Sequence, residues 1–216
     1  MRFKTTGHIL LGVPRPKRSQ RKREALLDLG VELLRSRGFH NTGLQELVDQ
    51  VGVPKGSFYS YFPSKVAFGA AVVRRYAEVF EEELAKLREA GQESPRRALL
   101  QFFEQLMERF TANGARGGCL VGNLGAELDG EEPAISRALR ETMVSWRETF
   151  AEIIELAQAR GEISAARPAA LLADFLINAW EGALIRMKIQ DDVSPLAECI
   201  QIVFDDLLGG PSGGSS

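Results

Sequence analysis

The sequence predicts an all-α protein, and three observations carry that expectation. Apolar residues recur at three- and four-residue steps from Gln20 to Leu208 and nowhere alternate with the period of two that marks a half-buried strand. Proline stands at or near the start of four of the five later helical segments, where its missing N–H costs nothing and its fixed φ helps. Charge is also divided along the chain. Residues 1–75 hold 14 Lys and Arg against 5 Asp and Glu, and the remainder holds 13 against 24, so a basic piece suited to neutralising phosphates is joined to an acidic one that is not.

Met1 to Ser19 is basic and punctuated by Pro and Gly, and it reads as a flexible arm. From Gln20 a helical pattern built on Leu26, Leu29, Gly30 and Leu33 runs until Gly38 stops it. Thr42 followed three residues later by Gln45 has the form of a capping box, which opens a second helix with Leu44, Leu47, Val48 and Val51 inward. Gly52 closes that helix, because glycine tolerates the left-handed turn, and Pro54 forbids simple continuation. Lys55 to Phe62 forms a third helix of about two turns, with Phe58 and Phe62 as core contacts. Pro63 and Ser64 break and re-cap the chain before a long amphipathic helix from Val66 to Leu87. Helices over Pro95–Thr111, Cys119–Leu128, Pro133–Arg160, Pro168–Lys188 and Pro195–Leu208 follow, about nine in all, and residues 209–216 form a flexible tail. The Pro168–Lys188 segment is apolar nearly all round, as expected of a helix covered by neighbours on several sides, including those of a second subunit.

Composition excludes several classes. With 216 residues, 44% hydrophobic and 26% charged, the chain is globular and long enough to bury a core without staples. The longest stretches free of charge are ten residues, well short of the roughly 18 that span a bilayer. No secretory h-region is present either, and the protein is placed in the cytoplasm. Cys119 and Cys199 lie far apart and belong to no Cys/His cluster, so neither a metal nor a cofactor is expected.

Two helices joined through Gly52, the second short and opening with Lys, Gly and Ser, make a helix-turn-helix whose second helix can enter a major groove. Gly56 and Ser57 let the backbone approach the bases. Lys55 can donate to guanine or phosphate, and Tyr59 and Tyr61 present hydroxyls beyond an apolar ring. Tyr59 also fits a core aromatic, and Lys55 and Lys65 also fit solvated surface positions. In the arm, Arg15, Lys17, Arg18, Arg21, Lys22 and Arg23 offer phosphate attraction without sequence preference.

The segment Val53 to Lys65, preceded by Gly38-Phe39 and Thr42, resembles the DNA-binding domain of TetR-type transcriptional regulators. That resemblance implies a homodimeric all-helical repressor on a double-stranded DNA operator. A helix-turn-helix domain over residues 20–64 would be followed by a helical body over 65–208 for dimerisation and a small-molecule effector. It assigns Lys55, Gly56, Ser57, Tyr59 and Tyr61 to the recognition helix, Thr42 and Gln45 to the start of helix two, and Lys65 to a phosphate. Many relatives carry a second Thr where this chain has Gly43, which leaves any phosphate contact there to Thr42.

Gly117 to Glu127, with its Gly-Gly-Cys-Leu run, and Trp180 to Lys188 resemble the branch of the family that responds to acrylate, N-ethylmaleimide and related electrophiles. In that branch the cysteine is the sensor. Independently, a cysteine at a first helical turn beside Arg116 has two reasons to favour the thiolate, the helix dipole and a nearby cation. The same residue also fits a packed helix-start cysteine, whereas Cys199, among apolar residues mid-helix, reads as a small hydrophobe. Phe103, Met107, Trp146 and Trp180 are drawn from the aromatic and Met positions as pocket candidates, and Asn123 and Glu127 fall on the face of Cys119. A second hypothesis, a thiol enzyme acting on small electrophiles through Cys119, lacks a base: the only histidines, His8 and His40, lie in the arm and the helix-turn-helix unit.

Overall fold

The computed structural model describes residues 18–128 and 130–209, and nine α-helices make up its regular structure: α1 (Arg18–Arg37), α2 (Leu44–Val51), α3 (Lys55–Tyr61), α4 (Lys65–Gly91), α5 (Pro95–Ala112), α6 (Leu120–Leu128), α7 (Pro133–Ala159), α8 (Ala169–Gln190) and α9 (Ser194–Ile202). No strand occurs among the described residues. Most of the expected arm and tail lie outside the described residues, except that Arg18 and Ser19 already belong to α1. The other departures are at helix ends. The last segment leaves α-helical geometry after Ile202 and finishes as a π-helical turn, Val203–Leu207, whose end is held by Arg96 donating to the carbonyls of Phe204 and Leu208 at 2.6 and 2.8 Å.

The expected capping box at α2 does not form. Gly43 is the N-cap residue and no side chain caps it. The Thr42 hydroxyl donates instead to the Gly38 carbonyl at 2.7 Å, and Gln45 reaches forward to Asp49 at 2.8 Å. A free carbonyl at the end of α1 outcompetes the local pattern, because a buried acceptor without a donor is costlier than an exposed helix start left to water. At the other end of α2, Gly52 has φ +65 and closes the helix as expected. Lys22 donates to the carbonyls of Val51 and Gly52, so this residue of the basic run caps a helix C-terminus where a cation is favoured.

The N-terminal unit is packed on an aromatic cluster: Phe58 of α3, Phe62 at its C-cap and Phe68 of α4 lie with ring centroids 5.0–5.5 Å apart, and Phe58 is fully buried. The start of α4 is set by the Ser64 hydroxyl accepting the Ala67 N–H at 3.0 Å. Helix α1 crosses α4 at Gly30, where a Cβ would stand 2.6 Å from both Phe68 Cζ and Val72 Cγ2, so the close crossing requires glycine. The body packs α4, α5, α7 and α8 around Phe102, Phe103, Phe150 and Trp180. Helix α8 is buried along Leu172, Leu176, Trp180, Ala183 and Met187, yet Leu171, Phe175, Ile185 and Ile189 on another side are exposed.

Replacing the hub of the N-terminal cluster, Phe58→Ala, is expected to cost about 3–5 kcal/mol of unfolding free energy. Chemical denaturation with an unchanged slope against denaturant checks this.

Candidate DNA-reading head and sensor cavity

Helix α3 has seven residues, and its faces are sharply divided. Phe58 turns inward, while Lys55, Gly56, Tyr59 and Ser60 are exposed, Tyr59 by 53%, and Ser57 and Tyr61 are half-buried. A Cβ built on Gly56 meets nothing within 4 Å, so its backbone is open to close approach. Gln45 is exposed at the start of α2. Thr42 is fully buried with its hydroxyl engaged, which removes it from the surface a phosphate would touch. Lys65 is also less free than expected. Its ammonium lies 4.6 Å from the Phe39 ring centroid and donates to the His40 carbonyl at 3.4 Å, and burial lowers its pKa against the opposing pull of Glu127.

In the body, a partly enclosed apolar cavity of about 60 Å³ is lined by Tyr76 and Phe80 of α4, Phe103, Leu106 and Phe110 of α5, Cys119, Trp146 and Phe150 of α7, and Ile177, Trp180, Glu181 and Leu184 of α8. Of the expected set, Cys119, Phe103, Trp146 and Trp180 are there. Met107 is not; it is half-buried against the core, and its neighbours Leu106 and Phe110 take the lining positions. A second, polar cavity of about 420 Å³ lies towards the N-terminal unit, lined among others by Arg35, Asn123, Glu127, Glu181 and Lys188. Cys119, Glu181 and Leu184 line both cavities and so form the wall between them. Asn123 belongs to the polar cavity alone, where its amide donates to the Arg35 carbonyl at 3.1 Å and its oxygen accepts from Lys188 at 2.8 Å.

Cys119 caps α6 with its thiol: the sulfur accepts the Gly122 N–H at 3.4 Å, and its carbonyl accepts from Asn123. The electrostatics run opposite to the sequence expectation. Cys119 is only 6% exposed, and burial first, then the facing Glu181 carboxylate, push the thiol well above its ordinary range. Arg116 is exposed and is not among the groups acting on the sulfur. Magnitudes decide the sign. A helix N-terminus contributes about 0.3–1 kcal/mol, whereas full burial moves a group by up to 3–5 pKa units at about 1.4 kcal/mol each. Glu181 is itself raised by burial, and Tyr76, from α4, is raised by burial and by the neighbouring thiol. Arg186 pairs with Glu198 at 2.9 Å, whereas Glu181 faces the thiol. Gly122 makes the pairing fit, since a Cβ there would stand 2.3 Å from Glu181 Oε2. Among the described residues no group of three His, Cys, Asp or Glu could hold a metal.

An exposed, lysine-led second helix on an all-helical body with an aromatic cavity defines a helix-turn-helix transcriptional regulator. Residues 26–72 match the family of bacterial regulatory proteins called the tetR family, and residues 95–203 match the tetracyclin repressor-like C-terminal domain; the chain belongs to this family. It is 33% identical to the HTH-type transcriptional repressor DhaR of Mycobacterium sp. strain GP1, over 86% of this chain and 92% of that one. It is 35% identical to the transcriptional regulator AcuR of Cereibacter sphaeroides, over 80% and 79%. The crystal structure of the reduced form of NemR from E. coli superposes with a TM-score of 0.79 at 29% identity, covering 88% of this chain and 99% of that one. These relatives are regulators, and the chain is not an enzyme.

In a Cys199→Ser background, ultraviolet titration is expected to show no thiolate between pH 5 and 9. Because Glu181 opposes the thiolate, Glu181→Gln lowers the titration midpoint; a midpoint near 7 in the parent protein would contradict the burial argument.

Proposed function

We propose that the chain is a cytoplasmic homodimeric repressor that binds a palindromic operator and is released by a small electrophile or unsaturated acid captured at Cys119. The observation that carries this reading is the placement of a buried thiol at the wall of a small aromatic cavity, directly facing a carboxyl group. A neutral thiol is a poor nucleophile in general but is preserved from indiscriminate oxidation. When an activated alkene enters the cavity, the sulfur–carbon bond forms at the β-carbon as the thiol proton passes to the Glu181 carboxylate. The alkene electron pair moves to the α-carbon, which then takes that proton back. The sum is addition of S–H across the double bond, one adduct per subunit, with no turnover. A cavity of about 60 Å³ favours effectors of a few heavy atoms.

Dimerisation is supported by α8. Leu171, Phe175, Ile185 and Ile189 are exposed at helical spacing, a Cβ on Gly182 meets nothing within 4 Å, and Ile202 of α9 is exposed as well. Such a stripe suits a symmetric helix pair. The two copies of α3 would then read half-sites one helical turn apart, about 34–36 Å. Lys55, Gly56, Ser57, Tyr59, Tyr61, Gln45 and Lys65 are the proposed contacts.

A duplex selected from a random pool by the protein itself provides the probe. N-ethylmaleimide is expected to weaken its binding by roughly 5- to 150-fold in the wild type, and Cys119→Ser to retain binding without release. If the serine variant still lets go, capture at Cys119 is wrong. Phe175→Glu places a charge in the proposed interface, and sedimentation is expected to show monomers whose affinity for the duplex is lost at physiological salt.

A further inference from the structure

A charge partly removed from water is costly unless an opposite charge or a hydrogen-bond acceptor meets it. Lys22, Lys65, Arg75, Arg88, Arg96 and Arg147 are partly buried, and each donates to a carbonyl or a carboxylate. Arg35 of α1 is partly buried too, but among the described residues its guanidinium has neither a hydrogen bond nor an ion pair. Its place is fixed all the same. The Asn123 amide donates to the Arg35 carbonyl at 3.1 Å, and the guanidinium lies against Gly117, where a Cβ would stand 3.4 Å from both Cζ and Nη1. Gly117 has φ +97 and Gly118 φ +134, so the chain passes the guanidinium in a form that favours glycine, with no side chain to cover it. The next residue is Cys119.

Arg35 and Cys119 line the same polar cavity of about 420 Å³, and Arg35 also lines a neighbouring one of about 290 Å³ with Tyr76, Arg109 and Gly118. Both groups act on Tyr76: the thiol raises the pKa of its hydroxyl and the guanidinium opposes that rise. The other charges of the polar cavity are engaged. Glu127 accepts the N–H groups of Phe39 and His40 at 2.8 Å, Lys188 donates to Asn123 at 2.8 Å, and Glu181 faces the thiol. Arg35 is left to meet a ligand. A guanidinium is planar and always charged, and it holds a carboxylate through two parallel N–H bonds. We propose that Arg35 receives the carboxylate of the effector in the polar cavity, so that a short unsaturated acid, and not a neutral electrophile, presents its alkene to Cys119. This rests on the reading of Cys119 as the point of capture. The carboxylate stays on the polar side of the wall formed by Cys119, Glu181 and Leu184, and the alkene lies at the sulfur. A buried neutral thiol reacts slowly with whatever arrives by chance, whereas a reagent anchored beside it gains from proximity, and only an acid is anchored.

The test uses full chains in a Cys199→Ser background and compares the parent with Arg35→Gln and Arg35→Lys. Acrylate and acrylamide are alike in size and differ in charge. Their rates of adduct formation on Cys119, followed by intact mass, are each divided by the rate on an uncharged cysteine peptide, which removes intrinsic reactivity; the pKa of the thiol cancels in the ratio of the two. That corrected ratio is expected to favour acrylate by roughly tenfold or more in the parent and to vanish in Arg35→Gln. Arg35→Lys keeps the charge without the fork and is expected to fall between. A parent that does not favour acrylate, or an Arg35→Gln protein that favours it as strongly, overturns the assignment, as does equal slowing of both reagents. A second measurement needs no reaction. In Cys119→Ser, propionate is expected to shift the Gly117 and Gly118 amide resonances saturably, propionamide is not, and adding Arg35→Gln abolishes the shift. Absence of the propionate shift, or its survival in Arg35→Gln, sinks the proposal. If neither alkene modifies Cys119, or if Cys119→Ser still releases DNA, capture at Cys119 is what fails, and the propionate titration alone decides Arg35.

Discussion

A turn between two helices that meet at an angle leaves backbone groups that neither helix can pair, and in this protein side chains from α6 and from the turn itself pair them. The Glu127 carboxylate supplies them for Phe39 and His40, Asn123 for Arg35, and the Thr42 hydroxyl for Gly38. Much else follows from that requirement. The helix that carries the partners must lie against the N-terminal unit, its other end must then reach the cavity among α4, α5, α7 and α8, and the residue that caps it is Cys119. The sensor candidate and the reading head are thus joined by a single short helix because one set of amide groups had to be satisfied.

Helix ends marked by Pro and Gly were legible in the sequence, since those residues act through their own backbone: Pro95 and Pro133 open helices and Gly52 closes one where the pattern places them. A pattern misleads where packing decides which of several partners a side chain finds. Thr42 and Gln45 fit a capping pattern, but the threonine hydroxyl goes instead to the Gly38 carbonyl four residues earlier, a choice the spacing of Thr42 and Gln45 does not reveal. Met107 stands one position from Leu106 and three from Phe110, and on a helix this apolar the sequence period does not say which edge faces a cavity. Glu181 lies in the Trp180–Lys188 run, but that it faces the thiol depends on Gly122, fifty-nine positions earlier in the chain, having no side chain.

Cys119 shows the same limit with opposite sign. A helix start and Gly117-Gly118 before it are visible in sequence and argue for a thiolate; burial and a facing carboxylate are not visible and argue more strongly for a thiol. The chemistry changes accordingly. A thiolate reacts with any electrophile that reaches it, whereas a neutral buried thiol needs a base and an aligned partner, so the sensing proposed for Cys119 would select by fit and not by intrinsic reactivity.

The energetics of such a junction constrain how it can respond. Hydrogen bonds to a charged group are each worth about 1.5–3 kcal/mol net, and Glu127 makes two of them on adjacent amides. The coupling needed to release DNA is only about 1–3 kcal/mol. That is less than the combined worth of the two bonds, so the junction of α6 with the turn is a stiff one. Exposed contacts such as Arg37–Glu46 at the neighbouring surface, worth well under about 1 kcal/mol, yield first. The contacts around the N-terminal unit are therefore graded, weakest on its exposed outer side and strongest where α6 meets the turn.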